Sequence, residues 1–200
     1  MLIPPGRIVI LPPQDSTEPG FDGLCDRPAI ERRLAEIASR KADDVARQLA
    51  NVPQSGNPTG GTAIIAADTT IVATDKSGKL HVLGQPPDDD AWSDIVKFWF
   101  REYYAGRTHQ ALTGLCVRTS EGQTAQRIVS TNVTFIADVE RRLEWYINTG
   151  EPRGKAGGYG IQGLASMFVQ EVRGSLSNVI GLPLEALLDI FEELQIDPGS

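Results

Sequence analysis

Cysteine and histidine are scarce: the 200 residues hold two of each. Cys25 and Cys116 stand far apart and in no metal-ligand spacing, which argues against a disulfide framework and a structural zinc site and leaves reduced thiols in a cytosol as the expectation. His81 and His109 are isolated, with no serine or cysteine nucleophile pattern beside them, so a hydrolytic triad has little support. Positive charge is also in deficit. Nineteen Lys and Arg face 26 Asp and Glu, a formal net charge of −7, and that balance argues against a nucleic acid polymer as partner, because such binding runs on a positive field. A small anionic ligand stays open, since a local pocket can be positive on an acidic protein. No apolar run reaches the length of a membrane span, so no membrane partner is expected. Met1 to Leu11 is apolar but broken by Pro4, Pro5 and Gly6, and it lacks the basic end and long apolar run of a signal peptide. A cytoplasmic setting is the expectation.

Hydrophobic residues make up 40% and charged residues 22%, enough to bury a core. The length suits one domain over residues 1–200. Arg7 to Leu11 reads as a strand. Ile30, Leu34, Ile37, Ala38, Ala42, Val45, Ala46 and Leu49 recur at helical spacing behind Pro28, a first-turn residue. Val52 to Thr62 is a loop by composition. Ala63 to Ala67 and Thr70 to Thr74 are strand-like, and Leu80 to Leu83 completes a hairpin across Asp75 to Gly78. A helix is expected from about Ala91 to Tyr104, with Trp92, Ile95, Val96, Trp99 and Tyr103 on its apolar face and Gly106 after it. Ala111 to Thr119 and Gln126 to Ile136 read as two more strands, with Glu121 and Gly122 as the turn. Asp138 suits the N-cap of the next helix. Leu164 to Val172 reads as a strand and Pro183 to Leu194 as the last helix. Hairpins and helices without strict alternation predict an α/β fold, a mixed twisted sheet with flanking helices.

Three places could carry chemistry. Asp68 interrupts the apolar run Ala63 to Val72; at a strand end it could be a metal ligand or general base, or a turn carboxylate satisfied by local amides with Thr69 helping. Gly150 to Gly163 holds six glycines and Lys155 and could expose amides and a charge to an anion. Its literal G-x-G-x-x-G does not follow a strand and open a helix, so a dinucleotide site is rejected. Gln162 in that stretch offers both donor and acceptor to a base edge. Lys41 is either a solvated helix lysine or a phosphate ligand. Asp88, Asp89 and Asp90 read as a solvated first turn.

Several blocks together resemble the Maf family of nucleoside triphosphate pyrophosphatases: Lys41-Ala42, Ala66-Ala67-Asp68-Thr69, Leu83-Gly84-Gln85-Pro86, Ala105 to His109 leading to Leu112-Thr113-Gly114, Lys155 to Gly163, and Gly174-Ser175 with Ser177 to Pro183. Their order and spacing hold from about Arg7 to Leu194. The resemblance implies the Maf and inosine triphosphatase-like fold, and hydrolysis of dTTP, UTP or modified nucleotides to the monophosphate and pyrophosphate with a divalent metal, Mg or Mn. It implies Asp68 as general base and metal ligand, Thr69 and Gln162 in base selection, and Lys41 and Lys155 along the phosphates. Glu18 would match an acidic pocket residue. A homodimer is also implied, and the family has been linked to division and septum formation.

Three departures accompany the resemblance. The family's opening strand and S-x-S-x-R-R loop have no counterpart, since the sequence begins where the family's next strand would; an exposed sheet edge and an opened pocket are the expectation. Gln85 stands where lysine is usual, and it can donate hydrogen bonds but cannot neutralise charge. Gly154 stands where many relatives carry aspartate. Two functions are therefore expected to compete: a working pyrophosphatase, and a catalytically impaired Maf-like protein that binds nucleotide or a partner.

Overall fold

The computed structural model describes residues 8–14, 19–51 and 62–197. Glu18 and most of the loop from Val52 to Thr62 lie outside the described residues. The first helix, α1 (Arg27–Ala50), starts where Asp26 accepts the Ala29 amide at 3.0 Å and Pro28 takes an early helical position. Its periodic residues Ile30, Leu34, Ile37, Ala38 and Ala42 are buried as the spacing predicts. Asp44 on the same helix is buried too, because the Gln14 amide (2.6 Å) and Gln48 (3.0 Å) hydrogen-bond its carboxylate.

Five strands follow in the sheet order β2-β1-β3-β4-β5: β1 (Ala63–Thr74), β2 (Leu80–Leu83), β3 (Thr108–Thr119), β4 (Thr124–Phe135) and β5 (Val169–Arg173). The α/β class with flanking helices is as expected. Every described pair is antiparallel, however, so the parallel component of a mixed sheet does not occur among the described residues. For β1–β2 and β3–β4 the reason lies in the short turns that join them, which permit only antiparallel neighbours.

Strand alternation sorts the layers. Val72, Leu112 and Cys116 face α1, whereas Ile71, Ala111, Leu115 and Val117 face the remaining helices. On that second face lie α2 (Trp92–Trp99), α3 (Glu140–Asn148), α4 (Leu176–Ile180) and α5 (Leu184–Glu193). Phe100, Tyr104, Phe135, Tyr146 and Phe168 form its aromatic centre, with Phe100 5.2 Å from both Tyr104 and Phe168.

Several boundaries differ from the sequence reading. Ile8–Leu11 is not a strand; Ile8, Val9 and Ile10 are exposed, with no described neighbour to pair with, and β-branched composition cannot form a strand alone. β1 runs unbroken through Asp68 and Thr69, because both pair with β3, opposite Gly114 and Thr113. The expected helix to Tyr104 becomes π-helical over Phe100–Tyr104, with the Ala105 amide bonding back to the Phe100 carbonyl at 2.9 Å. Val139 rather than Asp138 caps α3, and Pro183 caps α5 instead of entering it. Leu164–Phe168 is a 3-10 turn, so β5 begins only at Val169. Among the described residues no helix is long and apolar enough to cross a membrane. Cys25 and Cys116 are free thiols, one exposed and one buried.

Candidate active site

Asp68 sits in the middle of β1, not at a strand end, and its side chain faces α1. There the Lys41 ammonium donates to Oδ1 at 2.6 Å, with both side chains mostly buried. The turn-carboxylate reading is thereby corrected, since the partner comes from 27 residues away and not from local amides. What brings the lysine so near is Gly114, opposite Asp68 in the register: a Cβ on it would lie 2.5 Å from the Leu34 carbonyl oxygen, so only glycine lets the α1 backbone lie against the sheet.

Thr69, next along the strand, points to the opposite face. Its hydroxyl meets that of Thr113 at 2.8 Å, and the Gly181 carbonyl lies 3.5 Å away. Thr113 is fully buried and reaches the Asn178 carbonyl at 3.5 Å. The Asn178 amide donates to the Ala111 carbonyl and the Thr131 hydroxyl, both at 3.1 Å, which fastens α4 to the sheet beside Thr69. At the start of α4, the N-cap Ser175 and Ser177 hydroxyls both donate to Glu185 (2.6 and 2.8 Å), and the Ser175 bond above all holds that carboxyl below its usual range.

The glycine-rich stretch closes over the same face. Gly157 has φ +68°, and a Cβ there would sit 2.5 Å from the Tyr104 hydroxyl and 2.6 Å from Ile71, three residues along β1 from Asp68. The Gly157 amide donates to the Gly84 carbonyl at 2.9 Å, which sets Gln85 beside the loop. The Tyr104 hydroxyl donates to the Gly157 carbonyl (2.9 Å) and Tyr146 to that of Gly158 (3.2 Å). Burial pushes the Tyr104, Tyr146 and Tyr159 hydroxyls well above their ordinary range, so all three stay protonated and able to donate. At the far end, Glu151 accepts the Leu164 and Ala165 amides at 2.8 and 3.2 Å. Lys155 donates to the Glu151 carbonyl at 2.5 Å, folded back along its own loop rather than toward Asp68. Gln162 is exposed in the turn closed by the Gly163 amide on the Gly160 carbonyl at 3.0 Å.

The residues expected at one site therefore form two groups. Lys41 and Asp68 lie on the α1 face; Thr69, Gln85, Lys155 and Gln162 lie on elements of the opposite face, joined to β1 through Ile71 and Thr113. Tyr104, Tyr146, Glu151 and Asn178 are supporting residues that the sequence reading did not name as site candidates, and His109 is one it set aside as isolated. One signal was available: His109 shares the period-2 parity of Ala111, Thr113, Leu115 and Val117, which marks it as inward-facing.

Among the described residues no three His, Cys, Asp or Glu side chains gather into a metal cage. Asp68 alone offers one carboxylate.

A family model described as Maf-like protein matches residues 8–194. Relatives named dTTP/UTP pyrophosphatase include one from Alcanivorax borkumensis, 40% identical over 168 residues, covering 82% of this chain and 80% of its own length. One from Clostridium beijerinckii is 35% identical over 188 residues, 94% of this chain and 87% of its own. One from Pyrococcus horikoshii is 34% identical over 160 residues, 80% and 79% respectively.

Proposed function

Because the chain belongs to the Maf-like family, we propose that it is a nucleoside triphosphate pyrophosphatase acting on dTTP, UTP or closely similar modified nucleotides. The observation that carries the reading is the Lys41–Asp68 pair at 2.6 Å, seated mid-strand within the family's own sequence block. Asp68 takes a proton from water. The water oxygen bonds to the α-phosphorus, the bond from that phosphorus to the bridging oxygen breaks, and pyrophosphate leaves beside the nucleoside monophosphate. Lys41 fixes the orientation of the carboxylate and adds positive charge next to the developing charge on the phosphates. A divalent cation on the phosphates supplies Lewis-acid neutralisation, with Asp68 as the residue that would hold it. The family resemblance would put Thr69 and Gln162 at the base edge and Lys155 at the phosphates, whereas in this structure all three lie across the sheet from Asp68 and Lys155 is turned back onto the Glu151 carbonyl. Gln85 donates hydrogen bonds where the family more often places a charge.

Pyrophosphate release from dTTP, UTP, CTP and methylated nucleotides, with magnesium or manganese, tests the reading. Turnover with dTTP or UTP that falls by at least about 1000-fold in Asp68→Asn is the expected outcome. Folded protein without turnover on any nucleotide would leave the binding-only reading in its place.

A further inference from the structure

The buried pair His109–Tyr159 has no part in the chemistry above. The His109 side chain, 1% exposed, lies among the rings of Tyr104 (4.3 Å), Phe135 (5.0 Å) and Tyr159 (5.4 Å). Its Nε2 lies 2.8 Å from the Tyr159 hydroxyl, while Nδ1 has no hydrogen-bond partner among the described residues. Burial lowers its pKa to about 3, so the ring is neutral at any working pH. With Tyr159 as donor and Nε2 as acceptor, a single N–H is left unsatisfied; the reverse arrangement leaves the tyrosine hydrogen and Nδ1 both unsatisfied. The first arrangement is favoured.

A leucine facing a phenylalanine would fill this space without an orphaned polar atom. What the polar pair adds is direction, and direction matters because of what Tyr159 holds. The loop is tied before Tyr159 by Tyr104, Tyr146 and the Gly84 carbonyl, and after Gly163 by Glu151. Between those ties, the Tyr159 hydroxyl's bond to His109 is the one described hydrogen bond made by a side chain of residues 159–162, beside the Gly160 amide's bond to the Tyr146 hydroxyl. Glycine on both sides of Tyr159, with φ +69° at Gly158, gives the backbone here more freedom than other residues would, so the Tyr159 bond adds a restraint that the glycines themselves do not supply. Gln162 sits three residues on, exposed in the turn that follows. A glutamine amide can present either its oxygen or its NH2 to a base, and the two ends match opposite base edges. Only a fixed backbone makes one choice win.

We propose that His109 is a positioning residue for base selection, acting through Tyr159 to hold the turn that carries Gln162. This rests on the pyrophosphatase reading and on Gln162 meeting the base. The test compares kcat/KM for UTP against CTP in the wild type, Tyr159→Phe, His109→Leu and His109→Gln. A ratio of two substrates on one preparation does not depend on how much of it is folded, so a merely structural role would not move it. The expected result is a UTP/CTP ratio lowered about tenfold in Tyr159→Phe and His109→Leu, mainly through a higher KM for UTP. His109→Gln, whose amide oxygen can accept the tyrosine hydroxyl, should restore most of it. An unchanged ratio in both Tyr159→Phe and His109→Leu would overturn the proposal while leaving the enzyme reading intact. Calorimetric binding of α,β-methylene UTP and CTP runs alongside. Selective binding lost in Tyr159→Phe, from a protein without turnover, would support the positioning role while refuting the activity. Absence of both turnover and selective binding would overturn both.

Discussion

Replacing Gly114 by alanine tests how the fold assembles the reacting pair. The new Cβ would lie 2.5 Å from the Leu34 carbonyl oxygen and 2.7 Å from its carbon, and both are helix backbone with no rotamer to change. An ordinary carbon–oxygen contact is about 3.3 Å, so α1 must withdraw by about 0.8 Å. Lys41 lies seven residues further along the same helix, about 10 Å away, and moves with it as a rigid body. The Lys41–Asp68 contact then opens from 2.6 Å to about 3.4 Å, at the edge of hydrogen bonding. Overpacking of this kind costs about 1–3 kcal/mol, which for a chain of this length lowers the melting temperature by about 2–12 °C. Misplacing a catalytic group by nearly 1 Å lowers turnover by about tenfold or more. Melting curves and pyrophosphate release on Gly114→Ala measure both effects. Gly20→Ala is the control, because its Cβ would meet nothing nearer than 3.6 Å. A Gly114→Ala protein with wild-type melting temperature and turnover would refute the idea that close approach of α1 sets the pair.

Two further outcomes follow from buried polar groups. Asn178→Ala removes the donor to the Ala111 carbonyl and Thr131 hydroxyl and is expected to destabilise by about 2–4 kcal/mol; an unchanged urea midpoint would count against it. His109, with its pKa lowered to about 3 from 6.5, stays unprotonated in the folded chain while the unfolded chain takes up a proton below pH 6.5. Stability therefore falls with pH across the window from 6.5 to 3, because the unfolded state binds more protons there. Between pH 7 and 5 this amounts to about 2 kcal/mol. The neighbouring Tyr104 and Tyr159 remain neutral throughout. Urea unfolding of His109→Gln should lose that part of the pH dependence, and an equal slope in both proteins would show that His109 does not supply it.

Periodicity located α1 and its buried stripe, and strand composition with turn residues and Pro183 located both hairpins and α5, because burial of one face and turn geometry impose their patterns locally. The family blocks pointed to Lys41, Asp68, Thr69, Lys155 and Gln162 as residue types at fixed spacing. Which of these meet could not be read that way. Lys41 reaches Asp68 only because a glycine across the sheet admits the helix backbone, and strand alternation then sends Thr69 to the other face. The π-helical turn that aims Tyr104 at the Gly157 carbonyl leaves no mark in an apolar pattern, since period and composition hardly change when one residue is added to a turn. Ile8–Leu11 makes the converse point: its composition is that of a strand, yet a strand is a pairing between segments, and the described structure provides no partner for it. Local propensity and motif chemistry are written residue by residue. Contact between distant residues is decided by how closely two backbones can pack, and that depends on both at once.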